Sequence, residues 1–435
     1  MRIMLYYWQS NYLKIKTMIT NNKILLRFLL LFFGLLTFPF PINIIPKLDV
    51  VQDPIVDLYH IIIPWIGKNI LQLDYEITVF TNGSGDTTYD YVLVLFFIVV
   101  AAIGTVIWSF FDKKERDYEQ LNYWFLVFLR YYVGYVMLSY GIVKVIPLQF
   151  REPSFYRLLL PYGESSPMGL VWTFMGASKG YTIISGLAEM IGGLLLFHRK
   201  TVILGGMILI PVLTNIVLIN FCYDVPVKLY SSELLIMLLL IMAPHLKRLL
   251  NVILLNAPTI PIQYKEPFTI KRRLQIKNAV KWIAVVFFLY STIADAIESS
   301  KKYGPSAPKP PLYGLYEVTD FKVNSREIPP ILTDTIRWRF VSIEWLKSIR
   351  LYRTDMSGKN YKSKIDTIRK KIELAHRKDS TKVYTLNYSR TDSTMHIQGV
   401  FMKDTIDCKT KRLDKKDFLL TGRGFNWINE YPYNR

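Results

Sequence analysis

Between Tyr91 and Phe111 the chain runs for 21 residues without a charged side chain, and runs of this kind recur along it. A helix rises 1.5 Å per residue, so about 20 apolar residues cross the roughly 30 Å hydrocarbon layer of a bilayer. Trp124–Pro147 and Val202–Cys222 read the same way. A first run extends from Ile24 to about Ile45 through LLRFLLLFFGLLTFPFPINII. Tyr181–His198 and Leu229–Pro244 are tighter, the second continuing past a proline kink toward Leu250, and Val280–Ile297 completes seven expected spans. With 51% hydrophobic and 20% charged residues in 435, a wholly water-soluble protein is excluded.

Orientation follows from Lys and Arg in the short loops. Arg2, Lys14, Lys16 and Lys23 precede the first span, which predicts a cytoplasmic N-terminus. Residues 46–90 hold only Lys47 and Lys68 against seven acids and should face outward. Lys113, Lys114 and Arg116, then Arg199 and Lys200, mark returns to the inside. Residues 245–281 do so again, with eight basic residues against Glu266 alone. Strict alternation then exports the C-terminal part across the inner (cytoplasmic) membrane. The N-terminal run lacks a small-residue cleavage site and contains Pro39, Pro41 and Pro46, so it reads as a retained anchor. Asp53–Leu73, broken by Pro64, reads as an amphipathic segment on the membrane surface or capping the bundle.

Past the proline-rich linker Tyr303–Pro311, apolar and polar letters alternate in short runs. Strands are expected at Leu315–Val323, Ile336–Ile343, Lys382–Tyr388, Met395–Met402 and Asp417–Leu420, with a helical interruption at Ser363–Ala375. The expected fold is a polytopic α-helical membrane bundle of about seven transmembrane helices with a C-terminal, mainly-β extracytoplasmic domain. The strand rhythm of that domain loosely resembles a lipocalin-like barrel. Its organisation is an N-terminal membrane region (1–120), a helical bundle with a final span (121–300) and the β-rich domain (301–435). The closing GRGFNWINEYPYNR reads as a last strand with a packed tail, or as a docking surface.

The chain carries a net charge of +20, and 28 Lys/Arg against 15 Asp/Glu lie from Lys301 onward. Nucleic acid does not suit a domain outside the cytoplasm, whereas anionic lipid headgroups or acidic glycans suit a positive surface. A solvated basic surface with no ligand is the plain alternative.

A charge at the centre of a membrane helix costs about 2.5–3.5 kcal/mol on insertion scales, so it needs a partner, a wet cavity or a role. At 100° per residue, Arg130, Gly134, Met137, Gly141 and Lys144 share one stripe of the third span. Gly186, Glu189 and Gly193 form a matching stripe on the fourth. Depth counted from the span ends predicts a deep Arg130–Glu189 pair. It also predicts a separate outer cluster of Lys144, Asp224, Lys228 and Glu233. Asn215 would join the polar pocket or bond a neighbouring helix. Such groups suit a quinone, a proton relay or a small polar substrate, and equally an ion pair that fixes helix register. His198 and His245 read as interfacial residues rather than haem ligands. Cys222 and Cys408 both face outward by this topology and could in principle form a disulfide, with nothing to fix their distance. No phosphate loop, zinc-protease motif or nucleophile constellation stands out, and no cofactor signature is evident.

The stretches LRYYVGYVMLSYGIVKVIPLQF (Leu129–Phe150), GLAEMIGGLLLFHRKTVILGG (Gly186–Gly206) and TNIVLINFCYDVPVKLYSSELL (Thr214–Leu235) resemble the DoxX family of membrane proteins. The likeness covers Trp124–Leu250. It rests on an Arg and a Lys in the first core helix, a Glu before Gly-Gly in the second, and Asn-rich ends in the third. It implies a four-helix core holding Arg130, Lys144 and Glu189. It further implies a membrane subunit associated with a quinone-linked oxidoreductase or with soluble redox or envelope proteins. No catalytic set transfers from the family, and this chain adds two N-terminal spans, a seventh span and an exported domain. The rival expectations are a non-catalytic anchored envelope protein whose outer domain binds a protein or lipid, and a small-solute transporter. Seven spans without evident inverted repeats argue against the transporter.

Overall fold

In a computed structural model, residues 22–45, 47–79, 82–112, 118–260, 262, 270–377, 379 and 382–434 are described. Arg2, Lys14, Lys16, Pro46, Lys113, Lys114, Arg116 and Glu266, used above for orientation and anchoring, lie outside these residues. The chain divides into a helical unit, residues 1–149 and 180–298, and a second unit, residues 150–179 and 299–435. The second unit therefore takes in a stretch that the expected boundaries assigned to the bundle.

Local signals start the helices of the first unit. Asn22 accepts the Leu25 N–H ahead of α1 (Lys23–Thr37). α2 (Asp53–Asn69) runs through Pro64 instead of breaking there, with Ile61 and Trp65 exposed. Thr87 and Asp90 close a reciprocal capping box at the start of α3 (Thr88–Phe111). α4 (Tyr118–Val145) begins earlier than its apolar run, and α7 (Lys179–Leu196) and α8 (Val202–Cys222) follow the intervening segment of the other unit. α9 (Lys228–Met242) passes through a short 3-10 turn at Pro244 into α10 (Leu246–Ile253), as the proline suggests. α11 (Lys271–Tyr303) is 33 residues long and outruns the predicted span at both ends.

Among the described residues six helical segments are long and apolar enough to cross a membrane, so this is a membrane protein. They are Lys23–Ile44, Thr88–Phe111, Tyr118–Val145, Val202–Cys222, Lys228–Ile253 and Lys271–Tyr303. α7, the other expected span, is a helix of 18 residues whose glycines and Glu189 dilute its apolar character. The core of the unit joins Leu26 and Phe33 of α1 with Leu129, Val133 and Met137 of α4, alongside residues of α8 and α9.

The second unit is a closed antiparallel barrel of eight strands. They are β1 (Gly314–Val323), β3 (Trp338–Trp345), β4 (Ser348–Arg353), β5 (Gly358–Asp366), β6 (Lys371–His376), β7 (Val383–Arg390), β8 (Thr394–Phe401) and β9 (Asp404–Leu413). A two-residue strand, β2 (Arg326–Glu327), hangs on β1. Each strand pairs with its neighbour in sequence, and β1 closes on β9 with Leu315 opposite Leu413 and Val323 opposite Ile406. Closure leaves no long edge for another chain to pair with.

Three expectations fail here. Ser363–Ala375 is the β5–β6 hairpin, with Ile365 opposite Ile372. Ile365, Ile368 and Ile372 mimic helical spacing, but Ile368 sits fully out at the turn. Asp366 accepts the N–H groups of Ile368 and Arg369 there, and Lys370 takes a positive φ of 52°. Asp417–Leu420 is no strand but a 3-10 turn leading into the short α12 (Leu419–Gly422). The closing strand is β9, whose Lys and Arg letters disguise an inward row of Ile406, Cys408 and Thr410. Nor does the tail end in a strand: Phe425, Trp427 and Tyr431 are exposed.

The segment 150–179 packs on the outside of this barrel. α5 (Phe155–Leu159), capped by Ser154, puts Phe155 into a buried cluster with Leu315, Phe340 and Tyr352, residues that face away from the barrel core. α6 (Pro167–Ala177), capped by Ser166, completes it. The fully buried Phe155 contributes about 1.5–3 kcal/mol to this attachment.

Candidate functional site

The expected stripes meet. α4 and α7 touch backbone to backbone at two levels: a Cβ on Gly134 would lie 3.1 Å from the Gly193 carbonyl oxygen, and one on Gly141 would lie 2.6 Å from that of Gly186. The helices can approach this closely only because neither has a side chain at those points.

The partner of Glu189 is Lys144, not Arg130. Lys144 Nζ donates to Glu189 Oε1, and the two side chains are 6% and 1% exposed, so solvent cannot stand in for either. Arg130 Nε instead donates to the Leu196 carbonyl at 2.9 Å. The reason is geometric. Side chains on a helix lean toward its N-terminus. In an antiparallel pair aligned by these glycines, Lys144 and Glu189 lean toward each other, and Arg130, with the same lean as Lys144 but on the other side of the Glu189 level, leans away from the carboxylate. Arg130 and Lys144 are also about 21 Å apart along their helix, too far for one carboxylate to serve both. Among the described residues Glu189 Oε2 has no hydrogen-bond partner.

Lys144 therefore leaves the expected outer cluster. Lys228 stays, 2.9 Å from Asp224 and 3.7 Å from Asp86. Asp86 was not anticipated: its carboxylate accepts the N–H groups of Lys228 and Leu229 at 2.8 and 2.9 Å, capping α9 from another part of the chain. Glu233 lies apart, with Oε1 buried and without a hydrogen-bond partner among the described residues. Asn215 is exposed on α8; the buried asparagine of that helix is Asn220, which donates to Ser231 Oγ at 3.0 Å.

A second buried charge cluster escaped the sequence reading. Arg27, inside the first apolar run, donates to Ser109 Oγ, to Asp112 at 2.9 Å and to the Tyr118 hydroxyl at 2.6–2.8 Å. This fork ties α1 to the end of α3 and the start of α4. A single arginine within LLRFLLLFF and an aspartate directly after WSFF were the available signals.

The barrel holds a cavity of about 440 Å³ at one end. Phe321, Trp338, Leu351, Tyr361, Phe401 and Ile406 line its inner part. Trp338 and Tyr361 both meet the Phe401 ring edge-on, with ring centres 5.2 and 5.6 Å apart. Arg353, Lys359 and Asp404 also line it, from the strand ends around the β4–β5 and β8–β9 turns. Asp404 accepts a hydrogen bond from Asn324 at 2.8 Å. Arg353 and Lys359 have no side-chain hydrogen bond or ion pair among the described residues. An eight-stranded barrel has room for its own side chains or one small ligand, so a cavity here is chemically significant. No local pattern signals it, because its walls come from six strands.

Where segment 150–179 meets the barrel, Glu344 accepts the Phe155 N–H at 3.0 Å, and Lys415 lies 3.5 Å away. Burial pushes the Glu344 carboxyl up, with Lys415 and the Phe155 N–H pulling against that. Cys222 and Cys408 are both free thiols, and Cys408 is sealed in the barrel core, where burial pushes its thiol up. Among the described residues no group of three or more His, Cys, Asp or Glu could hold a metal.

No family model matches this chain, and no solved structure matches it. Over 116 residues it is 33% identical to an uncharacterized protein, YwoB, of Bacillus subtilis (strain 168). The match takes in 26% of this chain and 71% of that protein.

Proposed function

This chain belongs to the family of YwoB, and we propose that it is a non-catalytic, membrane-anchored envelope protein whose barrel binds a ligand while its helices serve as the anchor. The observation that supports this reading is the Lys144–Glu189 pair: directly bonded, buried on both sides, and flanked by glycine-to-backbone contacts where a ligand would need room. A polar pocket built for substrate would leave space between its charges, whereas a pair this close fixes the register of two helices. The cavity instead lies in the barrel. With α7 counted as a seventh crossing, the Lys and Arg of the short loops support an N-terminus in the cytoplasm and a barrel outside.

A second reading keeps the DoxX-like core over Trp124–Leu250 as a membrane subunit linked to quinone chemistry. Its support is Glu189 Oε2, a buried carboxylate oxygen without a hydrogen-bond partner among the described residues, which can hold a proton. One experiment separates the two. Glu189→Gln and Arg130→Ala are compared with the unsubstituted protein for the amount folded in membranes and for oxidation of a short-chain quinol. The anchoring reading expects less folded protein and no quinol-dependent activity in any sample. A quinol-dependent activity that Glu189→Gln abolishes at equal protein amount overturns it.

A further inference from the structure

The barrel cavity is open to a more specific question, the chemistry of what it holds, and the answer rests on the anchoring reading above. Three observations converge on it. The inner wall is aromatic, with Phe321, Trp338, Tyr361 and Phe401 all at most 8% exposed, so the part of a ligand that reaches it must be apolar and favours a ring or a short chain. Two cations, Arg353 and Lys359, line the same cavity with no committed partner among the described residues, while its acid, Asp404, is already engaged by Asn324. Exposed apolar side chains, Ile336 and Met402, complete the lining, so an apolar body entering there meets no purely polar barrier.

Size narrows the class further. A cavity of about 440 Å³ suits one short chain or a small ring system. The volume also falls within the roughly 300–1,000 Å³ of small-ligand pockets. The wall beside the opening is held firmly. Asp334 accepts the Ile336 and Arg337 N–H groups, and the buried Arg337 guanidinium donates to the carbonyls of Ile328 and Thr319 at 2.6 and 3.1 Å. The site is therefore preformed rather than made on binding.

We propose that this cavity binds a small amphipathic anion, its apolar ring or single short chain against Trp338, Tyr361 and Phe401 and its carboxylate, phosphate or sulfonate head at Arg353 and Lys359. Arginine and lysine at the opening act as the charge-assisted donors, and the aromatic floor excludes a second charge.

The test uses the full-length protein in nanodiscs and two probes with one ring system. 1-Anilinonaphthalene-8-sulfonate carries an anionic group, and N-phenyl-1-naphthylamine does not. After the signal of empty nanodiscs is subtracted, both should bind one-to-one, the sulfonate more tightly. Arg353→Gln/Lys359→Gln should weaken the sulfonate about tenfold and leave the neutral probe unchanged. Lys359→Gln alone, at an exposed position, should weaken it about threefold. Thr335→Trp, at the exposed edge of the cavity, should weaken both probes, and decanoate should displace both from the unsubstituted protein. The proposal is overturned if neither probe binds above the nanodisc background, if the double variant weakens both equally, or if Thr335→Trp changes neither. Probe binding reports on the cavity alone. Quinol oxidation reports on Glu189, so either idea can fail while the other stands.

Discussion

Breaking the Lys144–Glu189 pair on one side should be far worse than removing it whole. With the two side chains 6% and 1% exposed, neither charge left behind can recover its hydration in place. Removing one member of a buried ion pair costs about 3–5 kcal/mol, because the survivor is an uncompensated charge, whereas exchanging both for apolar groups of similar volume is often neutral or stabilising. Lys144→Met and Glu189→Met should each therefore destabilise the helical unit by about 3 kcal/mol or more, roughly a 150-fold fall in the folded-to-unfolded ratio. Lys144→Met/Glu189→Met should return to within about 1 kcal/mol of the unsubstituted protein. The assay is a double-mutant cycle on full-length protein in mild detergent, with fraction folded followed by far-UV circular dichroism across an SDS titration. Two results would refute the reasoning: a single substitution costing under about 1 kcal/mol, or a double substitution costing the sum of the singles. The first would mean that the charges are hydrated, and the second that they do not meet.

Arg27→Lys should destabilise the α1–α3–α4 junction almost as much as Arg27→Ala, because an ammonium cannot reproduce a fork that reaches Ser109, Asp112 and Tyr118 together; the same SDS titration reads it. Gly141→Val should cost about 1–3 kcal/mol by forcing α4 away from Gly186, and Gly163→Val, whose Cβ meets nothing, should cost under about 0.5 kcal/mol. Asp366→Asn tests the β5–β6 turn through pH. Hydrogen bonds from the N–H groups of Arg369 and Ile368, outweighing burial, hold the Asp366 carboxyl below its ordinary value. A lowered folded value means stability that is present above the unfolded value and lost as pH falls through the folded one. Thermal melts of the barrel should then show Asp366→Asn less stable at pH 7, with the gap closing once the pH drops below the ordinary aspartate range. A gap that persists in acid contradicts the assignment.

Much of this architecture was legible because apolar length and alternation are local properties. The long uncharged runs became helices, and the period-two runs at Leu315–Val323 and Met395–Met402 became β1 and β8. Local patterns misled where a turn carried an apolar residue. Ile368 completed a false helical period across a hairpin, and its exposure is what the pattern could not register. β9 was missed for the opposite reason: outward Lys409 and Lys411 drew attention from the inward Ile406 and Cys408. The attachment of segment 150–179 to the barrel depends on Phe155 meeting Leu315 and Phe340 across more than a hundred residues, and nothing local marks that. The cavity is of the same kind.

The partner of Glu189 is set by the small residues around it, and the reason generalises. Depth measured from the ends of apolar runs is a blunt ruler, because those ends drift by several residues from the helix ends: α4 starts at Tyr118 rather than Trp124. Glycines give a sharper ruler. Gly134 and Gly141 are seven residues apart on one helix, and Gly186 and Gly193 are seven apart on the other, a spacing of about 10.5 Å in each. Two antiparallel helices can superpose both glycine contacts in one register only, Gly134 on Gly193 and Gly141 on Gly186, which is the register found. That register sets Arg130 level with the last turn of α7, where it meets the Leu196 carbonyl. It also sets Lys144 and Glu189 about six residues apart in level, on either side of the Gly141–Gly186 contact. The N-terminal lean of helical side chains then closes the remaining distance from both sides, while the same lean carries Arg130 away. Close approach at the glycines fixes which charges can meet, so the ion pair follows from the small residues rather than from the charges themselves.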